Sequence, residues 1–171
     1  EGWNSAKYLH NPTAHAHTDS LTRDVLQVIL ELVDFLVPGS DVNSVRLLDR
    51  NSDEFYFFLY PPIHKLIPGK TVKNLQEMRF PVSGTSLAAR ICRGSDHEPR
   101  AFYNLDSAPV PGYTELFVGV RHIIIAPIEV DGEVEGVLDI RSLSDALLEP
   151  AALEWTKVIV FMMSLLIGSQ R

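Results

Sequence analysis

The sequence predicts an α+β fold, an antiparallel sheet with a helix before it and a helix after it. Three observations carry this reading. Leu21, Val25, Val28, Ile29, Leu32, Val33 and Leu36 recur at helical spacing near the start. His122 to Val130 is a nearly continuous apolar strand that turns through Asp131-Gly132 into a second strand, Glu133 to Ser142. A third apolar segment, introduced by Pro150 and ending at Gly168, has the length and content of a helix.

In chain order, Asp19 or Ser20 is the expected cap of the first helix and Pro38-Gly39 its stop. Val42 to Arg50 follows, with Val45 and Leu47 alternating with Ser44 and Arg46, as in a half-buried strand. Its hairpin partner is the aromatic run Glu54 to Tyr60, which stops at Pro61-Pro62. The middle is irregular: a turn at Pro68-Gly69, a strand within Val72 to Phe80, and a short helix Leu87 to Arg93 opened by Val82 to Ser86. Arg100 to Asp106 reads as a strand ending in a capped turn, and one helical turn is expected at Thr114 to Phe117. Asp131-Gly132 suits a tight type I′ turn because both residue types tolerate positive φ.

The 171 residues suit one domain, and 46% hydrophobic content supports a sizeable core. Residues 1–18 read as an arm or an appended remnant, and 19–168 as the domain. Fifteen basic against 22 acidic residues give a net charge of -7. That balance argues against phosphate-driven nucleic-acid binding and against an anionic membrane surface. The most apolar run, Val158 to Ile167, spans only about half of the ~20 residues a bilayer needs, so no membrane partner is expected. The one cysteine, Cys92, excludes an internal disulfide and a thiolate cluster, which fits a reduced, cytoplasmic setting. No metal site is expected: His10, His15 and His17 lie in the arm, without a carboxylate beside them.

Three stretches resemble the GAF domain. Phe80-Pro81-Val82-Ser83-Gly84-Thr85-Ser86-Leu87-Ala88-Ala89-Arg90 is similar to the lead into its short pocket helix. Arg100-Ala101-Phe102-Tyr103-Asn104-Leu105-Asp106 is similar to the strand that follows. Ile125-Ala126-Pro127-Ile128, Asp131-Gly132 and Gly136-Val137-Leu138-Asp139-Ile140 are similar to its most recognisable hairpin. The likeness covers about Leu21 to Gly168. It implies a GAF/PAS-like sheet with both terminal helices on one face and a loop and short-helix pocket on the other. It also implies a non-enzymatic regulatory role in which a small ligand is sensed and the terminal helices carry the response to an attached output domain or partner.

The pocket is expected between the sheet and residues 80–121. Arg79, Ser83, Thr85, Ser86, Arg90, Tyr103, Tyr113, Phe117 and Arg121 are its candidate ligand contacts, with His122 at the start of a strand. The N–H groups of Gly84-Thr85-Ser86 open a helix and suit an anion, with Arg90 as a charged partner. The alternative is a capping role for Thr85 and a solvent-facing Arg90. Asn104 and Asp106 read equally as ligand contacts or as turn makers. The Lys and Asp-Glu pair of cyclic-nucleotide-binding members are not in register here, and no cofactor is assigned. Cys92 falls in the short helix, away from a bilin attachment position, and free methionine sulfoxide reductases of this fold use several cysteines. A haem or redox sensor built on His122 or Cys92 is the weakest alternative.

The last helix is apolar on nearly every face. Trp155, Val158, Phe161, Met162 and Leu165 are expected on the sheet, leaving Ile159, Met163 and Leu166 for a second subunit. The function so predicted is ligand sensing with signalling through a terminal-helix homodimer. The alternative is an interaction module of the same fold whose pocket is vestigial.

Overall fold

The computed structural model describes residues 12–49, 53–57, 79–94, 97–108, 110–113, 119–144 and 150–170. Helix α1 is Pro12–Leu36, strands β1 and β2 are Val42–Asp49 and Glu54–Phe57, and β3 is Arg79–Pro81. A short helix α2, Leu87–Cys92, precedes β4, Arg100–Phe102. The long hairpin β5, His122–Val130, and β6, Glu133–Ser142, leads into helix α3, Pro150–Gly168. All six strands form one antiparallel sheet in the order β3-β2-β1-β6-β5-β4.

The first helix begins at Pro12, not at Asp19 or Ser20, so both lie inside it and part of the expected arm is helical. Proline is suited to the first turn, and the alanines that follow favour helix without supplying apolar periodicity. The expected strand over 72–80 appears as Arg79–Pro81, while 72–78, Phe58 to Tyr60 and the turn at 114–117 fall outside the described residues. Asp131 and Gly132 have φ of 54° and 82°, as a type I′ hairpin requires. Pro127 lies beyond the last β5 residue paired with β4, next to the irregularity at Ile128/Glu129. Gly136 sits where a Cβ would come within 2.6 Å of the Arg46 carbonyl, so β1 and β6 need a glycine there.

Two apolar clusters use the two sheet faces. On one, Val45, Leu47, Ile124, Ala126, Ile128, Leu138 and Ile140 meet Leu26, Ile29, Leu30, Val33 and Val37 of α1 and its end, and Ala152, Ile159 and Met163 of α3. On the other, Val42, Ile123, Ile125 and Val137 meet Leu87, Ala88 and Ile91 of α2, with Leu105 and Val120. Strand β1 is therefore covered on both sides: Ser44 and Arg46, expected to face solvent, are buried under the α2 layer.

Helix α3 is rotated relative to the expectation. Ile159 and Met163 are 1% and 0% exposed in the chain's own core, and Leu166 packs partly buried against it, so none of them forms an outward face. Trp155, Val158, Phe161, Met162 and Leu165 point outward instead. Such a uniformly apolar helix carries no internal phase, and docking selects which stripe meets the sheet. Small residues at Ala152 and Thr156 allow close approach on the buried side, and the Thr156 hydroxyl donates to the Ala152 carbonyl at 2.6 Å. By length and composition α3 is also able to cross a membrane; here one face of it lies on the sheet.

Candidate functional site

The sheet face beneath α2 carries buried charge. Arg46 donates from Nε and Nη2 to Asp139 Oδ2 at 2.8 and 2.5 Å, across 93 residues of sequence. Arg141 Nη2 lies 3.3 Å from the same oxygen, and Arg141 Nη1 donates to Ser44 Oγ at 2.9 Å. Alternation along β1 and β6 puts these side chains on one face, and the two-residue spacing of Asp139 and Arg141 brings them side by side. Burying such charges is tolerable because the shared Asp139 oxygen pairs them and hydrogen bonds hold them in place. The Arg46 guanidinium also lies 5.3 Å from the centre of the Phe80 ring.

Above this cluster opens a two-part cleft. An inner chamber of about 10 Å³ is lined by Arg46, Phe80, Ser86, Leu87, Ala88, Gly112, Tyr113 and Ile125. Outside it a cleft of about 330 Å³ is lined by Phe80, Pro81, Gly84, Thr85, Ser86, Gly112 and Tyr113. Phe80, Ser86, Gly112 and Tyr113 wall both, so they form one funnel with Arg46 among the residues at its inner end. A second cleft of about 650 Å³ shares Tyr113 and is lined by Leu105, Asp106, Gly119, Val120, Arg121 and Leu143. Both larger volumes fall in the range of small-molecule sites.

Local structure explains the walls. The α2 cap is Ser86, not Thr85: its Oγ accepts from the Ala89 N–H at 3.2 Å. Gly112 has φ of 80°, and a Cβ there would fall 2.1 Å from the Thr85 carbonyl oxygen, so only glycine fits. Its own carbonyl accepts from the Leu87 N–H at 2.7 Å.

Of the expected contacts, Thr85, Ser86 and Tyr113 line the funnel, and Asp106, Arg121 and Tyr113 line the second cleft. Arg79, Ser83, Arg90, Tyr103, Asn104 and His122 line neither, and Phe117 is outside the described residues. Two of the groups expected to meet an anion have partners within the chain. Gly84 N–H donates to the Pro81 carbonyl at 3.0 Å, and Arg90 Nη1 turns to the Pro111 carbonyl at 2.7 Å. Asn104 makes a turn, with φ of 54° and its carbonyl accepting from the Ser107 and Ala108 N–H groups. Asp106 accepts from Arg121 Nη2 at 2.8 Å, which holds its carboxyl below the ordinary value. Arg46, Phe80, Gly112 and Ile125 were absent from the expected set; the only signal for Arg46 was its place opposite Val45 and Leu47 in the β1 alternation.

His122 is 2% exposed, with Nδ1 accepting from the Asn104 N–H at 3.2 Å. Burial, aided by the charge of Arg121 and opposed by Asp106, keeps its pKa below the ordinary value. Cys92 is pushed up to about 12, chiefly by burial, so its thiol stays protonated at neutral pH. Among the described residues, no group of three His, Cys, Asp or Glu side chains suits a metal ion.

The fold so described is shared with solved structures. The chain superposes on a GAF domain from an Acinetobacter phosphoenolpyruvate-protein phosphotransferase with a TM-score of 0.64, 17% identity, and coverage of 86% of this chain and 82% of that one. The chain has the GAF-domain fold. The GAF domain of a two-component sensor histidine kinase from Bacillus halodurans gives a TM-score of 0.66 at 15% identity, covering 85% and 92% of the two chains. A type II free methionine-R-sulfoxide reductase from Thermoplasma acidophilum shares the GAF fold too, with a TM-score of 0.67 at 17% identity over 89% and 96%. No family model matches the sequence, and comparison with curated proteins finds no match.

Proposed function

We propose that this GAF fold is a non-enzymatic, cytoplasmic regulatory domain. It takes a small ligand in the funnel between Phe80 to Ser86 and Gly112-Tyr113, and it passes the signal through its terminal helices to an attached output domain. The observation that carries this reading is the funnel itself, a cleft of about 330 Å³ narrowing to an inner chamber lined in part by buried Arg46. GAF folds attached to a sensor kinase and to a phosphotransferase support the regulatory class. The reductase of the same fold raises an enzymatic alternative, which the protonated, half-buried thiol of Cys92 does not favour.

Homodimerisation belongs to the same proposal, with the helix faces corrected. Val28, Leu32 and Phe35 of α1 and Trp155, Val158, Phe161, Met162 and Leu165 of α3 leave large apolar side chains in water on two helices that pack beside each other. A second copy covering that stripe removes them from water. A thermal-shift screen against nucleotides, haem, biliverdin and small metabolites tests the ligand, and light scattering tests the dimer. Stabilisation by one class, abolished by Tyr113→Ala, is the expected result; absence of any stabilisation refutes sensing. A dimer that Phe161→Glu with Leu165→Glu converts to a folded monomer is expected, and a wild-type monomer refutes this part.

A further inference from the structure

The two walls of the funnel are distant in sequence, Phe80 to Ser86 on one side and Gly112-Tyr113 on the other. Both are tied by arginines at α2, Arg90 on its outward side and Arg93 at its C-cap. Arg93 Nη1 donates to the Val82 carbonyl and, at 2.8 Å, to the Gly84 carbonyl. Arg90 Nη1 donates to the Pro111 carbonyl at 2.7 Å. The backbone adds a third tie, from the Leu87 N–H to the Gly112 carbonyl. The other side of α2 is bound firmly: Leu87, Ala88 and Ile91 are buried against Ile123, Ile125 and Val137.

The asymmetry is informative. A guanidinium carries five donors suited to a carboxylate fork, yet the Nη1 of each arginine donates to neutral backbone carbonyls of loops. Each tie is exposed to water, so it is strong enough to bias a loop and weak enough to open. We infer that Arg90 and Arg93 are two latches: Arg93, at the C-cap of α2, holds the Pro81 to Gly84 wall, and Arg90, on α2, holds the Val110 to Tyr113 wall. Together they set the width of the funnel mouth and give α2 a separate handle on each wall. Helix α2 rests on β5 and β6, whose opposite face carries α3, so a wall that moves with α2 has a packed route to the terminal helices. The latch stands on geometry alone; its use in admitting a ligand rests on the proposed function.

Hydrogen exchange on the full chain tests it. Arg90→Met and Arg93→Met keep the aliphatic stem and remove the donors. Val82 and Gly84 N–H groups, bonded to Asp53 and Pro81 carbonyls, report the first wall; Tyr113 and Leu87 N–H groups, bonded to Val110 and Gly112 carbonyls, report the second. Arg93→Met is expected to speed exchange at Val82 and Gly84 about fivefold, leaving Tyr113 and Leu87 unchanged. Arg90→Met is expected to do the reverse, and in both variants Ile124 and Leu138 in the sheet keep their rates. Rates at either wall that do not move, or that rise at both walls and the sheet together, overturn the inference. If the walls respond as expected while no compound in the thermal-shift screen stabilises the protein, the latch is upheld and the ligand proposal fails alone.

Discussion

Replacing Asp139 by asparagine removes the carboxylate that two buried arginines share while keeping its shape. The Asp139 side chain is 0% exposed and those of Arg46 and Arg141 are 8% and 2% exposed, so water screens little of the interaction. Three contacts converge on one oxygen, at 2.5, 2.8 and 3.3 Å. Taking one partner from a buried ionic cluster costs ~3–5 kcal/mol, because the remaining charges stay buried while that pairing is lost. Against a total stability of ~5–15 kcal/mol this is a large share. With a urea slope of roughly 2 kcal/mol per molar, the unfolding midpoint falls by about 2 M. Urea titration followed by circular dichroism reads this directly. Asp106→Asn is the control, since its ion pair with Arg121 is solvent-exposed, and its midpoint is expected to stay near wild type. A loss below about 1 kcal/mol for Asp139→Asn, with a cooperative transition of unchanged slope, refutes the view that this cluster holds β1 to β6.

Three further outcomes follow from local geometry. Gly112→Ala meets both a φ of 80° and a Cβ 2.1 Å from the Thr85 oxygen, whereas Gly132→Ala meets a φ of 82° in open space. Strain alone costs ~1 kcal/mol, so Gly112→Ala is expected to lose at least about 1 kcal/mol more than Gly132→Ala in urea titration; equal losses mean that the Thr85 contact relaxes freely. Because the folded pKa of His122 lies below its unfolded value, its neutral form gives full stability above the ordinary 6.5, lost progressively as pH falls below it. His122→Asn, which keeps an acceptor for the Asn104 N–H, is expected to flatten the fall in urea midpoint between pH 7.5 and 5.5; an unchanged slope assigns that fall to other groups. With its thiol at about 12 against an ordinary 9.0, Cys92 is expected to react with iodoacetamide at pH 8 some hundred- to thousandfold more slowly than an exposed cysteine. Alkylation at the exposed rate, followed by mass spectrometry, contradicts the burial described.

Much of the architecture is written in short-range pattern. The turn at Asp131-Gly132 requires only residues that accept positive φ, and the strands beside it announce themselves by β-branched content. Gly136 is legible for the same reason, since a glycine inside a strand signals close approach. The GAF resemblance implied a pocket between the sheet and residues 80–121, and Thr85, Ser86 and Tyr113 line a cleft in that region. For Arg90 two readings stood open, because side-chain length and spacing do not say whether a guanidinium turns into a cleft or onto a neighbouring carbonyl; here it turns onto the Pro111 carbonyl.

What the sequence determined by itself is the order of elements, the hairpin, and an excess of apolar surface on the last helix. Tertiary structure alone decided which way that helix faces. Ile159 and Met163 went inward and Phe161 and Leu165 outward because a helix apolar all round has no preferred side until a sheet and a second helix meet it. It alone decided the inner end of the funnel as well. Arg46 and Asp139 stand 93 residues apart, and their union depends on the register in which β1 and β6 pair, which no local window contains.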